Sequence, residues 1–429
     1  MCRSKMAIDA IQPTSPPKPT RQPSTSSSTT NTNTNTNTNT NTVTTTSTTV
    51  SSGSSRHSLA SLRNSLPENP HLYNISEIRL ATNNFLAKNS SSSSSSSTRS
   101  WRCTLHGKDV IIFQRKSQTT QLTPNVVQRK LSSICRSHHI AIVNLLGASI
   151  SGEYIYFVYD FIPGANLYDL LHNPKNPDFT ILSSWMSRLQ VASDLANALD
   201  YIHNSTGLDV TFVHNHVKSS TVLVTEPSFN AKLCHFGVAE LCGEPTEKRE
   251  FGSSGNKDEI VDQDSTSSFR RLNRSNSVKF NGTRGYMSPE FQSTGIGTRK
   301  SDVYSFGVVL IELLSGEEPV KYKLDKVTKE YRKISALDAA VAVVENGDHG
   351  DEREGRIRKW VDRRLKDSYP VDVAQKLTRL AVDCVHVDPD QRPDMRRVAG
   401  KISKLYLESQ VWCDKMNVPT DFTVSFAPR

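Results

Sequence analysis

Phe212-Val213-His214-Asn215-His216-Val217-Lys218-Ser219-Ser220-Thr221-Val222-Leu223-Val224, followed by Cys234-His235-Phe236-Gly237, is the stretch on which the reading of this chain turns. Apolar runs flank a polar loop that carries two histidines, a lysine and a threonine. A single His-x-x-x-Lys spacing would carry no information. Here a second turn follows in fixed register, and Gly282-Thr283-Arg284-Gly285-Tyr286-Met287-Ser288-Pro289-Glu290 comes after it. Three motifs in that order are specific.

Working outward, composition divides the 429 residues. Residues 1–70 are Ser, Thr, Asn and Pro with an Asn-Thr repeat at 31–42 and almost no large apolar side chains. Such a segment cannot bury enough surface to offset its ordering entropy, so it is expected to be a disordered tail. Residues 74–411 suffice for a sizeable core, with 412–429 left as a C-terminal tail. The net charge of +9 is spread out. No basic block interleaved with aromatics stands out, so no nucleic-acid partner is expected.

Seven scattered cysteines form no Cys-x-x-Cys pair and no ligand spacing, which fits a reducing compartment. No run approaches the roughly 18–20 apolar residues that span a bilayer, and no early stretch resembles a signal peptide. The expected location is therefore cytoplasmic. Cys2 beside Arg3 and Lys5 is a candidate palmitoyl acceptor, although a cysteine there is more often merely a residue.

Periodicity places the elements. Tyr73 to Phe85 reads as a short amphipathic helix with Ser76 as cap, and residues 101–113 and 154–161 read as strands. Leu182 to His203 is a long helix, because Trp185, Leu189, Ala192, Leu195, Ala196, Leu199 and Ile202 recur at steps of three and four. Val303 to Leu314 is apolar almost all round, the mark of a buried helix. Strands first and helices later predict an α+β chain with a sheet-rich lobe at about 74–160 and a helical lobe at about 161–411.

Across 74–411 the chain resembles the kinase domains of plant receptor-like kinases and receptor-like cytoplasmic kinases, nearest the LysM-receptor type. The residues that carry this are Ala81-Thr82-Asn83-Asn84-Phe85, Trp185 with Arg188, Tyr201-Ile202-His203, Lys300 through Gly307, and Asp390-Gln391-Arg392-Pro393-Asp394-Met395. The loop at 212–224 is similar to the kinase catalytic loop, His-Arg-Asp-x-Lys-x-x-Asn, and His235-Phe236-Gly237 to the Asp-Phe-Gly metal turn. The resemblance implies a two-lobed protein-kinase fold.

It also shows which parts have changed. Phosphoryl transfer asks a protein mainly to position groups and neutralise charge. The glycine loop over the phosphates falls where Ser90 to Ser97 runs unbroken, and no glycine occurs from 54 to 106. The strand lysine falls at Phe113, with Lys108 or Lys116 the only nearby substitutes. No acid occurs from 110 to 152, so the helix near Val126 to Ile134 cannot supply the lysine's partner. His216 stands at the base position, and a histidine can take a proton near neutral pH. Thr221 and His235 stand at the two metal-ligand positions, although magnesium prefers hard oxygen donors. No intact catalytic set and no metal site are therefore expected, with Lys218 retained. His214, His216 and His235 could in principle gather a transition metal, but the resemblance packs His214 against Phe236.

What is kept serves shape. Glu290 and Arg392 match a buried ion pair of the family, and Asp302 matches the residue that accepts backbone N–H bonds from the catalytic loop; Phe236 and Gly237 are likewise structural. Val110, Tyr159, Asp160 and Leu223 are the candidate nucleotide-pocket residues. Residues 243–280 read as a polar, disordered insertion of the activation segment, with acids from Glu244 to Asp264 followed by basic residues. Arg274 lies three residues before Ser277, so Ser275 and Ser277 are candidate phosphorylation sites.

The expected function is a catalytically inactive scaffold or allosteric partner of active receptor or cytoplasmic kinases, peripheral to the plasma membrane. No cofactor is required, and ATP, if bound, is expected to bind without magnesium. The alternatives are a weak Ser/Thr kinase using His216 as base and a nucleotide-binding switch without turnover.

Overall fold

Asn74 and Glu77 begin the first helix, each side chain accepting a backbone N–H at its start. The Asn74 side chain accepts the Ser76 N–H at 3.0 Å while Glu77 accepts the Asn74 N–H at 3.2 Å, a reciprocal cap that satisfies otherwise orphaned donors. The structure, a computed structural model, describes residues 70–86, 99–118, 124–172, 176–209, 211–247, 282–325, 330–345 and 350–416. The expectations for 1–69, for the serine run, for 248–280 with Ser275 and Ser277, and for the tail beyond Met416 lie outside those residues.

Strand β1 (His71–Leu72) precedes helix α1 (Ile75–Ala81). The helix is shorter than the periodicity suggested, and its cap is Asn74 rather than Ser76. Thr82 turns its hydroxyl back to the Ile78 carbonyl at 2.7 Å, and Asn83, Asn84 and Phe85 follow with φ of 50°, 52° and 62°. Left-handed residues cannot continue the helix.

Strands β2 (Arg99–Leu105) and β3 (Lys108–Lys116) meet at His106-Gly107, whose φ values of 51° and 77° suit a two-residue hairpin. Helix α2 (Pro124–Cys135) and strands β4 (Leu145–Ser151) and β5 (Tyr154–Asp160) complete the smaller lobe. Its five-stranded sheet has the order β1-β4-β5-β3-β2.

Alternation along β3 decides what faces the cleft between the lobes. Val110 and Ile112 pack with Ile78, Trp101, Leu105, Tyr156 and Val158 on one face. Ile111 and Phe113 pack on the other, against the main core. Val110 thus stands on the face opposite Phe113, so its assignment to the nucleotide pocket is corrected; Ile111 has the cleft side.

The larger lobe runs β6 (Ala165–Asn166), α3 (Leu167–Leu171), α4 (Trp185–Asn204), β7 (Val222–Val224), β8 (Ala231–Leu233), α5 (Val238–Cys242), α6 (Pro289–Thr294), α7 (Arg299–Ser315), β9 (Val320–Leu324), β10 (Tyr331–Ser335), α8 (Ala336–Glu345), α9 (Gly350–Trp360), α10 (Val371–Cys384) and α11 (Met395–Met416). Ser184 caps α4 by accepting the Ser187 N–H at 3.1 Å. Arg188 is buried with its guanidinium 2.6 Å from Asp362. Helix α7 is buried on nearly every side and ends at Gly316, where φ is 68°. Helix α11 continues past Val411 because its later turns dock on α4, with Trp185 Nε1 donating to Ser409 at 2.9 Å. The result is a sheet-rich lobe on a helical one.

Candidate functional site

Asp302, on buried α7, organises the loop at 212–224. Its carboxylate accepts the His214 N–H at 2.7 Å and the Asn215 N–H at 2.8 Å, with His203 Nε2 at 3.0 Å. Burial alone would raise this carboxyl, but His203 and the loop N–H groups outweigh it and hold the group below its ordinary range. At the next turn the Thr221 hydroxyl donates back into its own loop, to the His216 carbonyl at 2.7 Å and the Lys218 carbonyl at 2.9 Å. Ser219 and Tyr286 both bond to buried Glu312, at 3.1 and 2.8 Å. At the end of the segment Arg392, fully buried, grips Glu290 through two bonds of 2.7 and 2.8 Å.

His214 is likewise engaged. Its Nδ1 accepts the His216 N–H at 3.3 Å, so Nε2 carries the proton given to the Cys234 carbonyl at 2.9 Å. Burial pushes this imidazole down to about 4, which keeps it neutral. The ring against Phe236 is that of Phe212, with centroids 5.5 Å apart. His214 thus gives its proton to the carbonyl just before His235, and Phe212 lies beside Phe236.

Phe113 and His235 meet where the resemblance places a lysine and an acid. Their ring centroids are 4.6 Å apart, and Tyr159 completes a cluster at 5.9 Å from Phe113 and 6.4 Å from His235. The Tyr159 hydroxyl donates to the Phe236 carbonyl at 2.9 Å. His235 is buried, has φ of 67°, and its Nδ1 has no hydrogen-bond partner. Burial and then the charge of Arg115 hold it neutral, well below the ordinary histidine range. Neither His235 nor Thr221 offers magnesium an anionic oxygen, so the residues present do not fit that ion. Among the described residues no group of three His, Cys, Asp or Glu side chains is placed to hold a metal.

The suggested substitutes for the strand lysine do not enter. Lys116 pairs with Glu153 at the surface, 2.8 Å away, and Lys108 is exposed at the start of β3. Arg115, two residues beyond Phe113 and on the same strand face, has a buried Nε without a partner. On helix α2, Lys130 Nζ lies 2.7 Å from Glu240 on α5. Of the other pocket candidates, Asp160 accepts from Asn144 at 3.2 Å and Leu223 is half-buried in β7.

Glu244 is the residue that sequence reasoning missed. Its polar surroundings in the sequence suggest an exposed insertion, yet its side chain is 8% exposed and faces the loop. His216 Nε2 is 2.9 Å from one carboxylate oxygen, and Asn215 donates to the other at 2.6 Å. Burial favours the neutral acid, but His216 and Asn215 prevail and the carboxyl sits below its ordinary value. A bridge between Thr246 and Gly297, with the Gly297 N–H donating to Pro245 at 2.8 Å, lays the segment against the loop. Lys218 Nζ meets the other side of the segment at Thr283, 3.0 Å away. The signal for Glu244 was its place just after Gly243, whose φ of 68° ends α5 and turns the chain back.

Two lobes about this cleft define a protein kinase fold. A model of the protein kinase domain matches residues 108–401, and the chain belongs to that family. Its relatives include LysM domain receptor-like kinase 3 of Arabidopsis thaliana, 30% identical over 80% of this chain and 48% of that protein. Another is PTI1-like tyrosine-protein kinase 3 of the same plant, 28% identical over 78% of this chain and 72% of that one. The chain spans about half the length of the LysM-type receptor kinases it matches. The fold is shared with the pseudokinase domain of BIR2, an immune regulator of the RLK/Pelle family, at a TM-score of 0.56 and 20% identity, covering 86% of this chain and 100% of that one. Among the described residues no helix is long and apolar enough to cross a membrane.

Proposed function

We propose that this chain is a catalytically silent kinase-fold protein that acts by binding active receptor or cytoplasmic kinases, as scaffold or allosteric partner, at the cytoplasmic face of the plasma membrane. The observation that carries the reading is the engagement of His216 by Glu244. The candidate base on the loop, His216, has its Nε2 bound to a carboxylate of the chain's own activation segment. A general base must lie within hydrogen-bond reach of the proton it removes, and this bond ties the ring to the protein's own segment. The Phe113–His235–Tyr159 cluster supports the same reading, because it puts neutral rings where lysine and metal would share the phosphate charge.

A nucleotide could still meet Arg115 and Lys218, the cations left on the cleft side. Binding of that kind needs no magnesium, and it would make the cleft a switch without turnover.

Thermal-shift titration of the full chain with ATP, with and without magnesium or manganese, tests this, paired with a labelled-phosphate transfer assay. The expected result is no metal-dependent shift and no transfer. An equal shift with and without metal, still without transfer, supports the switch form. Metal-dependent stabilisation with transfer that disappears in His216→Ala overturns the proposal.

A further inference from the structure

Strands β9 and β10 pair only with each other, from Val320 opposite Ser335 to Leu324 opposite Tyr331. A two-stranded ribbon is marginal in water by itself. This one is anchored at its base, where the Ala336 N–H donates to the Pro319 carbonyl at 3.1 Å. Beyond the base it carries exposed apolar side chains: Tyr322 is 55% exposed, Leu324 47%, Ile334 45% and Tyr331 72%. Lysines and an arginine alternate with them. Lys321, Lys323 and Arg332 share one face with Ile334, and Lys333 shares the other with Tyr322, Leu324 and Tyr331.

The charges are poorly matched within the protein. Lys321 pairs with Glu317 at 2.6 Å. Lys323, Arg332 and Lys333 make no ion pair among the described residues, and Arg332 stands directly opposite Lys323. Like charges so placed cost stability. The ribbon's two acids, Asp325 and Glu330, are engaged in contacts of their own. Along the chain those acids and the residues between them dilute this basic and aromatic block. Strand pairing brings the two halves together.

We propose that the β9–β10 ribbon is a docking element for an anionic lipid bilayer. Tyrosine rings and aliphatic side chains suit the boundary between headgroups and acyl chains. Lysine stems lie along such a boundary while their ammonium groups reach the phosphates. The negative potential of a cytoplasmic leaflet then turns unpaired cations from a cost into an attraction. Leu324 and Ile334 argue against a nucleic acid, whose bases stack on aromatic rings. Cations on both faces suit a ribbon that enters a headgroup layer with phosphates on either side, rather than one acidic peptide, which would meet a single face. The inference is independent of the chemistry of the cleft.

Cosedimentation of the full chain with phosphatidylcholine vesicles, alone or mixed with phosphatidylserine, tests it. Binding is expected only with phosphatidylserine and is expected to weaken as salt rises. The double substitution Lys323→Gln with Arg332→Gln is expected to weaken it about 25-fold, at roughly five-fold per charge removed. Leu324→Ser with Tyr331→Ser is expected to weaken it at every salt concentration. All substituted positions are exposed, so unchanged thermal midpoints verify that the variants fold. Vesicle binding equal to wild type in the charge variant overturns the proposal. So does no binding to phosphatidylserine vesicles, or ribbon-dependent binding to an oligonucleotide or polyglutamate that exceeds binding to vesicles at the same salt.

Discussion

His214 is kept neutral by burial, with its proton committed to the Cys234 carbonyl. Its folded value of about 4 lies below the ordinary 6.5. Between those values an unfolded chain takes up a proton that the folded chain refuses. Stability from this residue is therefore complete above about pH 7 and falls as pH drops toward about 4. At about 1.4 kcal/mol per unit, the full loss is about 3 kcal/mol. His235, lowered in the same direction by burial, adds to the loss. Glu244 and Asp302, both held below their ordinary values, extend it as pH falls further. Urea unfolding should show a midpoint that is flat above about pH 7 and declines toward about pH 5, with a shallower decline in His214→Gln, which can still donate to the carbonyl. Equal midpoints at about pH 7.5 and about pH 5 would show that neither histidine is buried neutral.

Helix α2, on which an assembled kinase would carry the lysine's acidic partner, meets α5. Gly237 begins α5 with φ of 85°, and a Cβ there would lie 2.7 Å from Ile134 Cγ2 on α2. Gly237→Ala should cost about 1–2 kcal/mol in backbone strain, plus the displacement of Ile134. Adding Ile134→Val should recover the contact part and leave the strain. Full recovery in denaturant titrations would mean that φ at this position is not constrained. By contrast, Lys130→Ala should cost no more than about 1 kcal/mol, because its pair with Glu240 is more than a third exposed. Elements whose cause is local were legible in the sequence. The three- and four-residue steps of α4 and the apolar run of α7 announce themselves, whereas α1 was read too long because nothing in its pattern reveals the left-handed turn at Asn83 to Phe85. The seat of Glu244 depends on its pairing with His216, 28 residues away, and periodicity does not encode that.

At the scale of the whole molecule, the site is built from residues that the chain order separates widely. Phe113 from β3, Tyr159 from β5 and His235 from the turn before α5 form one cluster, while His216 and Glu244 join loop to activation segment. The sequence showed which residues were replaced but not that the replacements touch. Their contact makes the substitutions a coupled set. Phe113→Lys alone would put an ammonium beside a neutral imidazole, and His235→Asp alone would put a carboxylate against a phenyl ring. The first buries a charge without a partner and should destabilise by several kcal/mol; the second should cost less, because the charge of Arg115 reaches this position. Together the two charges pair, so the double variant should be more stable than the sum of the singles by about 1–3 kcal/mol in a double-mutant cycle. Under the proposed function, no phosphate transfer is expected of the double variant, because Thr221 still bonds within its own loop and Glu244 still holds His216. A coupling energy near zero would mean that residues 113 and 235 act separately, and the cleft would then be a collection of independent losses instead of one repacked interior.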